Sequence, residues 1–98
     1  MELKSDRYKK ARSGPSRILR ISCRKCGAPI CLYQKDGVGN LRRMYLDRIA
    51  SPEVPTAGKA LVCPNAHIVG MRTIYKKESR PAFRLIANAV AKRPEKAD

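Results

Sequence analysis

The residues of this sequence best suited to chemistry are four cysteines and a single histidine. Two cysteines lie in Cys23-Arg24-Lys25-Cys26-Gly27, and a third lies in Cys63-Pro64-Asn65-Ala66-His67. A Cys-x-x-Cys turn aims two thiolates at one point, and Zn²⁺ takes four Cys or His ligands in a tetrahedron. The sequence therefore predicts one structural Zn²⁺, with these four ligands: Cys23, Cys26, Cys63 and His67.

The fourth ligand has a rival in Cys31, which follows Cys26 by five residues. Cys31 lies among apolar neighbours in the segment API-C-LYQ, and this setting favours a small buried side chain over a ligand. His67 follows Cys63 in a C-x-x-x-H spacing, from which either ring nitrogen can bind the metal. We predict His67 as the ligand and keep Cys31 as the alternative.

The second half-site resembles the C-P-x-C-G knuckle of the zinc ribbons. Ala66 stands where that pattern has a cysteine, and His67 stands where glycine is usual. The resemblance implies a small β-rich zinc ribbon, with antiparallel hairpins around one zinc site. Proteins of this kind occur among small ribosomal, transcription-associated and RNA-associated proteins.

The elements that must position these ligands are short β-strands. The runs RILRISC and ALVC lead into the two half-sites, and HIVGMRTIY leaves the second one with the β-branched residues typical of strands. Between the half-sites, APICLYQ and LRRMYLDRI flank the turn sequence KDGVGN, which predicts a β-hairpin. The predicted organisation is a flexible basic arm over residues 1–16, a zinc-ribbon core over 17–78 and a C-terminal element with a basic tail over 79–98.

The C-terminal element has two interpretations. Pro81, four alanines and the spacing of Phe83, Ile86 and Val90 favour a short helix. Alternation of Phe83 and Leu85 with polar or small residues allows an additional strand instead. We predict the helix and keep the strand as the alternative.

Charge indicates the partner. Lys and Arg number 22 against 8 Asp and Glu, which gives a net charge of +14 on 98 residues. Such a surplus attracts polyanions, so we predict nucleic-acid binding, to RNA or the ribosome in preference to DNA. Tyr45 and Tyr75 could stack on bases, although both suit the edge of a core equally well. The candidate contacts are Lys9, Lys10, Arg12, Arg17, Arg20, Arg42, Arg43, Arg48, Arg72, Lys76 and Lys77.

Other classes of function fit the sequence less well. Residues 1–14 contain no apolar stretch of a signal peptide, and no run reaches the roughly 18 apolar residues of a membrane span, so we expect a cytoplasmic protein with no membrane partner. Thioredoxin-like chemistry would need a βαβ context that the sequence does not indicate, so we expect neither an enzyme nor a small-molecule substrate. The remaining alternative is an adaptor that docks on a transcription or translation complex.

Overall fold

The computed structural model of the protein describes residues 16–37 and 39–95. Eight strands and one short 3₁₀ turn follow one another along these residues. They are β1 (Ser16–Cys23), β2 (Pro29–Asp36), β3 (Arg43–Tyr45), the 3₁₀ turn (Leu46–Arg48), β4 (Ile49–Ala50), β5 (Ala60–Val62), β6 (Ile68–Tyr75), β7 (Arg80–Leu85) and β8 (Val90–Pro94).

These strands form two four-stranded antiparallel sheets. The order is β4-β2-β1-β8 in the first sheet and β3-β7-β6-β5 in the second. In β1, Leu19 and Ile21 are buried while Arg20 between them is exposed. Successive side chains of a strand point to opposite faces, so this alternation gives the first sheet one apolar face.

Apolar side chains from both sheets form a single core. The first sheet contributes Leu19, Ile21, Ile30, Cys31 and Tyr33, and the second contributes Met44, Leu61, Val69 and Phe83. Cys23 and Cys63 belong to the same buried cluster. The core is thin, because a domain of this size buries a smaller share of its surface than a larger one does.

The predicted C-terminal helix is wrong. Residues 80–85 form β7 and pair with β6, while residues 90–94 form β8 and pair with β1. Helix propensity is a weak preference, and here the open edges of two sheets supply partners for a strand. Asn88 lies between the two strands and has a positive φ of 61°, a left-handed conformation that interrupts the extended chain. Along the described segments the only helical residues are the three of the 3₁₀ turn, so the fold is a pair of sheets and not a zinc ribbon with a C-terminal helix.

The predicted hairpin between the half-sites is also wrong. The strand of its second arm, β3, pairs with β7 in the second sheet. Only the two residues of β4 return to pair with β2, through Leu32 and Ala50 and through Tyr33 and Ile49. The chain therefore crosses from one sheet to the other after Gly37, which has a positive φ of 78°.

A buried polar cluster lies where the chain makes this crossing. Asp36 Oδ2 accepts a hydrogen bond from Arg48 Nε at 3.0 Å, and Oδ1 accepts from Ser16 Oγ at 2.6 Å and from Gln34 Nε2 at 2.9 Å. The Arg48 side chain is 1% exposed and that of Asp36 is 7% exposed. Burial alone would raise the pKa of Asp36, but the three hydrogen bonds and the charge of Arg48 outweigh it and hold the pKa below its ordinary value.

The two ends of the chain lie partly outside the described residues. Of the predicted basic arm, only Ser16 is described, and it begins β1. The last residues of the basic tail, 96–98, also lie outside the described part. Among the described residues, no helix has the length and apolar character that crossing a membrane would require.

Candidate metal centre

The first half-site is the turn between β1 and β2. Cys23 ends β1, and its backbone is closed against the turn by hydrogen bonds from Gly27 N to Cys23 O at 2.7 Å and from Cys23 N to Ala28 O at 2.8 Å. Gly27 has a φ of 77°, a conformation that glycine adopts without steric cost. Cys26 lies within the turn and is exposed.

The second half-site is the turn between β5 and β6. Cys63 directly follows β5 and His67 directly precedes β6, and Cys63 N donates to His67 O at 2.8 Å. Ala66 N donates to Cys63 O at 2.9 Å, and Ala66 has a left-handed φ of 69°. This residue gives the turn one position more than a C-x-x-C turn has, so the fourth side chain comes from His67.

The four predicted ligands converge at one point. One sulfur or nitrogen atom from each of Cys23, Cys26, Cys63 and His67 lies within 4.8 Å of the others. His67 Nδ1 is 3.3 Å from Cys63 Sγ and 3.6 Å from Cys23 Sγ, and the Sγ atoms of Cys26 and Cys63 are 3.6 Å apart. Tetrahedral zinc with ordinary bond lengths would separate two sulfurs by about 3.8 Å and a sulfur from a nitrogen by about 3.5 Å. The three cysteines are not joined in disulfides.

Hydrogen-bond donors surround two of the sulfurs. The backbone N–H groups of Asn65 and His67 donate to Cys63 Sγ at 3.3 and 3.4 Å, and Asn65 Nδ2 donates to Cys26 Sγ at 3.3 Å. The bond from the Asn65 side chain is the main reason that the pKa of Cys26 falls to about 6, while burial raises the pKa of Cys23. Donors placed in this way stabilise thiolates, which are the form of cysteine that binds a metal.

Cys31 lies in the core and outside this group. It is 4% exposed, and burial raises its pKa to about 12. A thiol in that environment stays protonated, which suits a small buried apolar side chain. Three cysteines and one histidine within ligand distance are thus consistent with a metal site to which Cys31 does not contribute.

The site connects the two sheets. Cys23 and Cys26 belong to a turn of the first sheet, whereas Cys63 and His67 belong to a turn of the second. Arg24 N also donates to Ala89 O at 3.0 Å, which ties the first turn to the segment between β7 and β8. A metal bound here would join elements that no strand pairing connects.

The predicted nucleic-acid contacts differ in their exposure and in their partners. Lys9, Lys10 and Arg12 lie outside the described residues, whereas the following are exposed: Arg17, Arg20, Arg42, Arg72, Lys76 and Lys77. Arg20 pairs with Glu95 at 2.9 Å, and Arg72 donates to Thr56 O at 3.0 Å. Three of the predicted cations, Arg42, Arg43 and Arg48, line one pocket.

Two arginines of the prediction are held by the protein itself. Arg43 is half-buried, with its guanidinium 4.4 Å from the centre of the Tyr75 ring. Arg48 is buried against Asp36, so it offers no exposed guanidinium to a phosphate and its prediction as a contact does not fit the structure. Tyr45 is 8% exposed and lies beneath Arg80, which places it at the edge of the core.

Sequence reasoning missed two groups of residues. Asn65 was treated only as a spacer, although an asparagine inside a Cys turn is a signal for a side chain that hydrogen-bonds a ligand. Three cations, Arg24, Arg84 and Lys92, line one groove together with Arg42. Their proximity depends on the pairing of β7 and β8 with different sheets, and no local pattern in the sequence reveals it.

Comparison with known proteins provides no relative: no protein family, no curated protein and no solved structure matches this chain. The site and the charge of the chain therefore carry the argument about function.

Proposed function

We propose that this chain is an RNA-binding protein whose small β-fold is stabilised by one structural Zn²⁺. The observation that carries the proposal is the group of Cys23, Cys26, Cys63 and His67, whose ligand atoms all lie within 4.8 Å of one another. Three thiolates and one imidazole are soft or borderline ligands, and a tetrahedral set of this kind selects zinc over Mg²⁺ or Ca²⁺. A set of four protein ligands leaves no open position, which is typical of a structural site.

The binding part of the proposal depends on charge. A net charge of +14 produces a positive field that attracts a polyanion. Exposed cations occur on both sheets, including Arg17 on β1 and Arg84 on β7. Strands and loops carry these cations, and such surfaces are common in proteins that bind single-stranded RNA, whereas helices are the usual readers of the DNA major groove.

Two measurements on the full chain test the proposal. Protein purified without chelator should contain one zinc per chain, and its affinity for RNA should fall steeply as salt rises. Each neutralised phosphate of a single strand contributes about −0.7 to the slope of log affinity against log salt, so several contacts give a slope of several units. A zinc-free preparation that is fully folded would contradict the structural role of zinc. The absence of RNA binding at low salt would contradict the RNA-binding function.

A further inference from the structure

A basic groove runs beside the first metal turn. It has a volume of about 780 Å³, and four cations line it: Arg24, Arg42, Arg84 and Lys92. No Asp or Glu is among its lining residues in the described part of the chain. Other arginines of the described part have acidic partners: Arg20 pairs with Glu95 at the surface, and the buried Arg80 pairs with Asp47.

Apart from Asn40 and Asn88, the remaining lining residues are apolar. They include Leu41, Leu85, Ile86 and Val90, and Ile86 is 46% exposed. A ligand that suits the groove must therefore supply anions to the cations and flat or apolar faces to these side chains. Unpaired nucleotides supply both, because their phosphates are charged and their base faces are free to stack. A duplex has its base faces stacked inside and offers mainly phosphates and sugar hydroxyls.

The groove is connected to the metal centre through the backbone. Arg24 follows Cys23 directly, and its N–H donates to Ala89 O, which belongs to the segment between β7 and β8. Ile86 N in the same segment donates to Val69 O of β6, and Ala89 N donates to Ile86 O. The metal turn and the lining segment Ile86–Ala89 are thus held in one arrangement.

We propose that this groove binds a single strand of RNA, with Arg24, Arg42, Arg84 and Lys92 contacting its phosphates and the apolar side chains contacting its bases. The inference rests on the proposed function, since it names the surface and the form of RNA that the protein binds. It differs from a diffuse electrostatic attraction because it assigns binding to one place on the molecule. Binding by the whole positive surface would depend only on the number of charges and not on their position.

The test compares two double variants of equal charge, each of which replaces one arginine and one lysine. The groove variant carries Arg84→Gln and Lys92→Gln, both at exposed positions away from the metal ligands. The control variant carries Lys59→Gln and Arg93→Gln, which are exposed and lie outside the groove. Zinc content and thermal unfolding should be the same in the two variants and the wild type, which verifies that both fold. The probe is a uridine oligonucleotide of about 15 nucleotides, close to the upper end of single-strand site sizes.

The groove variant should lose at least about tenfold in affinity at moderate salt, and its salt slope should fall by about 1.4 units, as expected for two lost phosphate contacts. The control variant should lose no more than about threefold, from the weaker overall field. An RNA duplex of the same length should bind the wild type more weakly and respond equally to both variants.

Three results would overturn the inference. Equal losses of single-strand affinity in the two variants would show that position does not matter. Tighter binding of the duplex by the wild type would show that the groove does not select unpaired nucleotides, and preferential binding of an acidic peptide would replace the nucleic acid with a protein ligand. Each of these leaves the zinc site and the measured RNA affinity of the wild type intact, so failure here is distinct from failure of the proposed function.

Discussion

The sulfur of Cys26 shows how a neighbouring side chain supports the candidate metal site. Cys26 is exposed, and several hydrogen bonds to its sulfur, of which the bond from the Asn65 side chain has the largest effect, lower its pKa to about 6. Asn65 comes from the other sheet and reaches across the site. The second turn therefore contributes two ligands and also a donor that supports a ligand of the first turn.

Substitution distinguishes the two residues that competed for the fourth position. Replacing His67 by Ala removes one of four ligands, so zinc affinity should fall by at least about a hundredfold, since even the loss of a supporting hydrogen bond costs 10- to 100-fold. Cys31→Ala should retain one zinc with nearly unchanged affinity, because Cys31 is buried in the core away from the cluster. Competition with a chromophoric chelator measures both affinities. Loss of zinc from Cys31→Ala together with retention in His67→Ala would assign the site to Cys31 instead.

At the scale of the elements, we expect the buried ion pair of Asp36 and Arg48 to stabilise the part of the chain that passes from one sheet to the other. Replacing Arg48 by Met leaves the Asp36 carboxylate buried without its cation, and breaking a buried pair in this way costs about 3 kcal/mol. Arg20→Met is the matched control, because Arg20 pairs with Glu95 at the surface and should change stability little. Urea denaturation at pH 7 measures both changes. Equal losses in the free energy of unfolding would show that the buried pair stabilises the protein no more than the surface pair does.

The contribution of the Asp36–Arg48 pair to stability should decrease as the pH falls. The pKa of Asp36 is lowered in the folded protein, so its contribution to stability is present above the ordinary value of 3.8 and is lost as pH falls through the folded value. The stability difference between the wild type and Arg48→Met should therefore be full at pH 5 to 7 and should shrink below about pH 4. Acid also protonates the metal ligands, but it does so in both proteins, and the difference between them reports on the pair.

The strands next to the ligands could be predicted from sequence, whereas their pairing could not. The apolar runs before Cys23 and Cys63 and after His67 form β1, β5 and β6, because alternating and β-branched residues favour strands locally. The end of the chain was assigned to a helix because alanine propensity is local, while the sheet edges that capture β7 and β8 are distant in sequence. The groove could not be predicted for the same reason. Arg24 and Lys92 are far apart in sequence, and they line one groove only because β8 pairs with β1.

At the scale of the whole molecule, a metal bound at the candidate site would have a structural role that follows from the topology. Each sheet has only four strands, and some are very short: β3 and β5 have three residues and β4 has two. The sheets share a core but no strand pairing, as far as residues 16–37 and 39–95 extend. A metal bound to one turn from each sheet would link the two sheets through metal–ligand bonds. This link would lie beside the core, to which Cys23 and Cys63 belong.

Removal of the metal should therefore unfold both sheets together. A ligand that binds only the folded state stabilises it by about 4 kcal/mol at a thousandfold excess over its dissociation constant, which is a large share of the roughly 5–15 kcal/mol that a small domain has. Addition of a chelator should collapse the dispersion of the amide resonances from β1 and from β6 alike. Added Zn²⁺ should restore the dispersion, whereas Mg²⁺ should not because it prefers oxygen ligands.

Two outcomes would contradict this prediction. A chelated sample that keeps dispersed amides in one sheet and loses them in the other would show that the sheets fold independently. A chelated sample that keeps them in both sheets would show that the shared core is sufficient for folding. The variant Cys31→Ala serves as the control, since it should need the metal as the wild type does. An equal response would show that Cys31 has no part in the dependence on the metal.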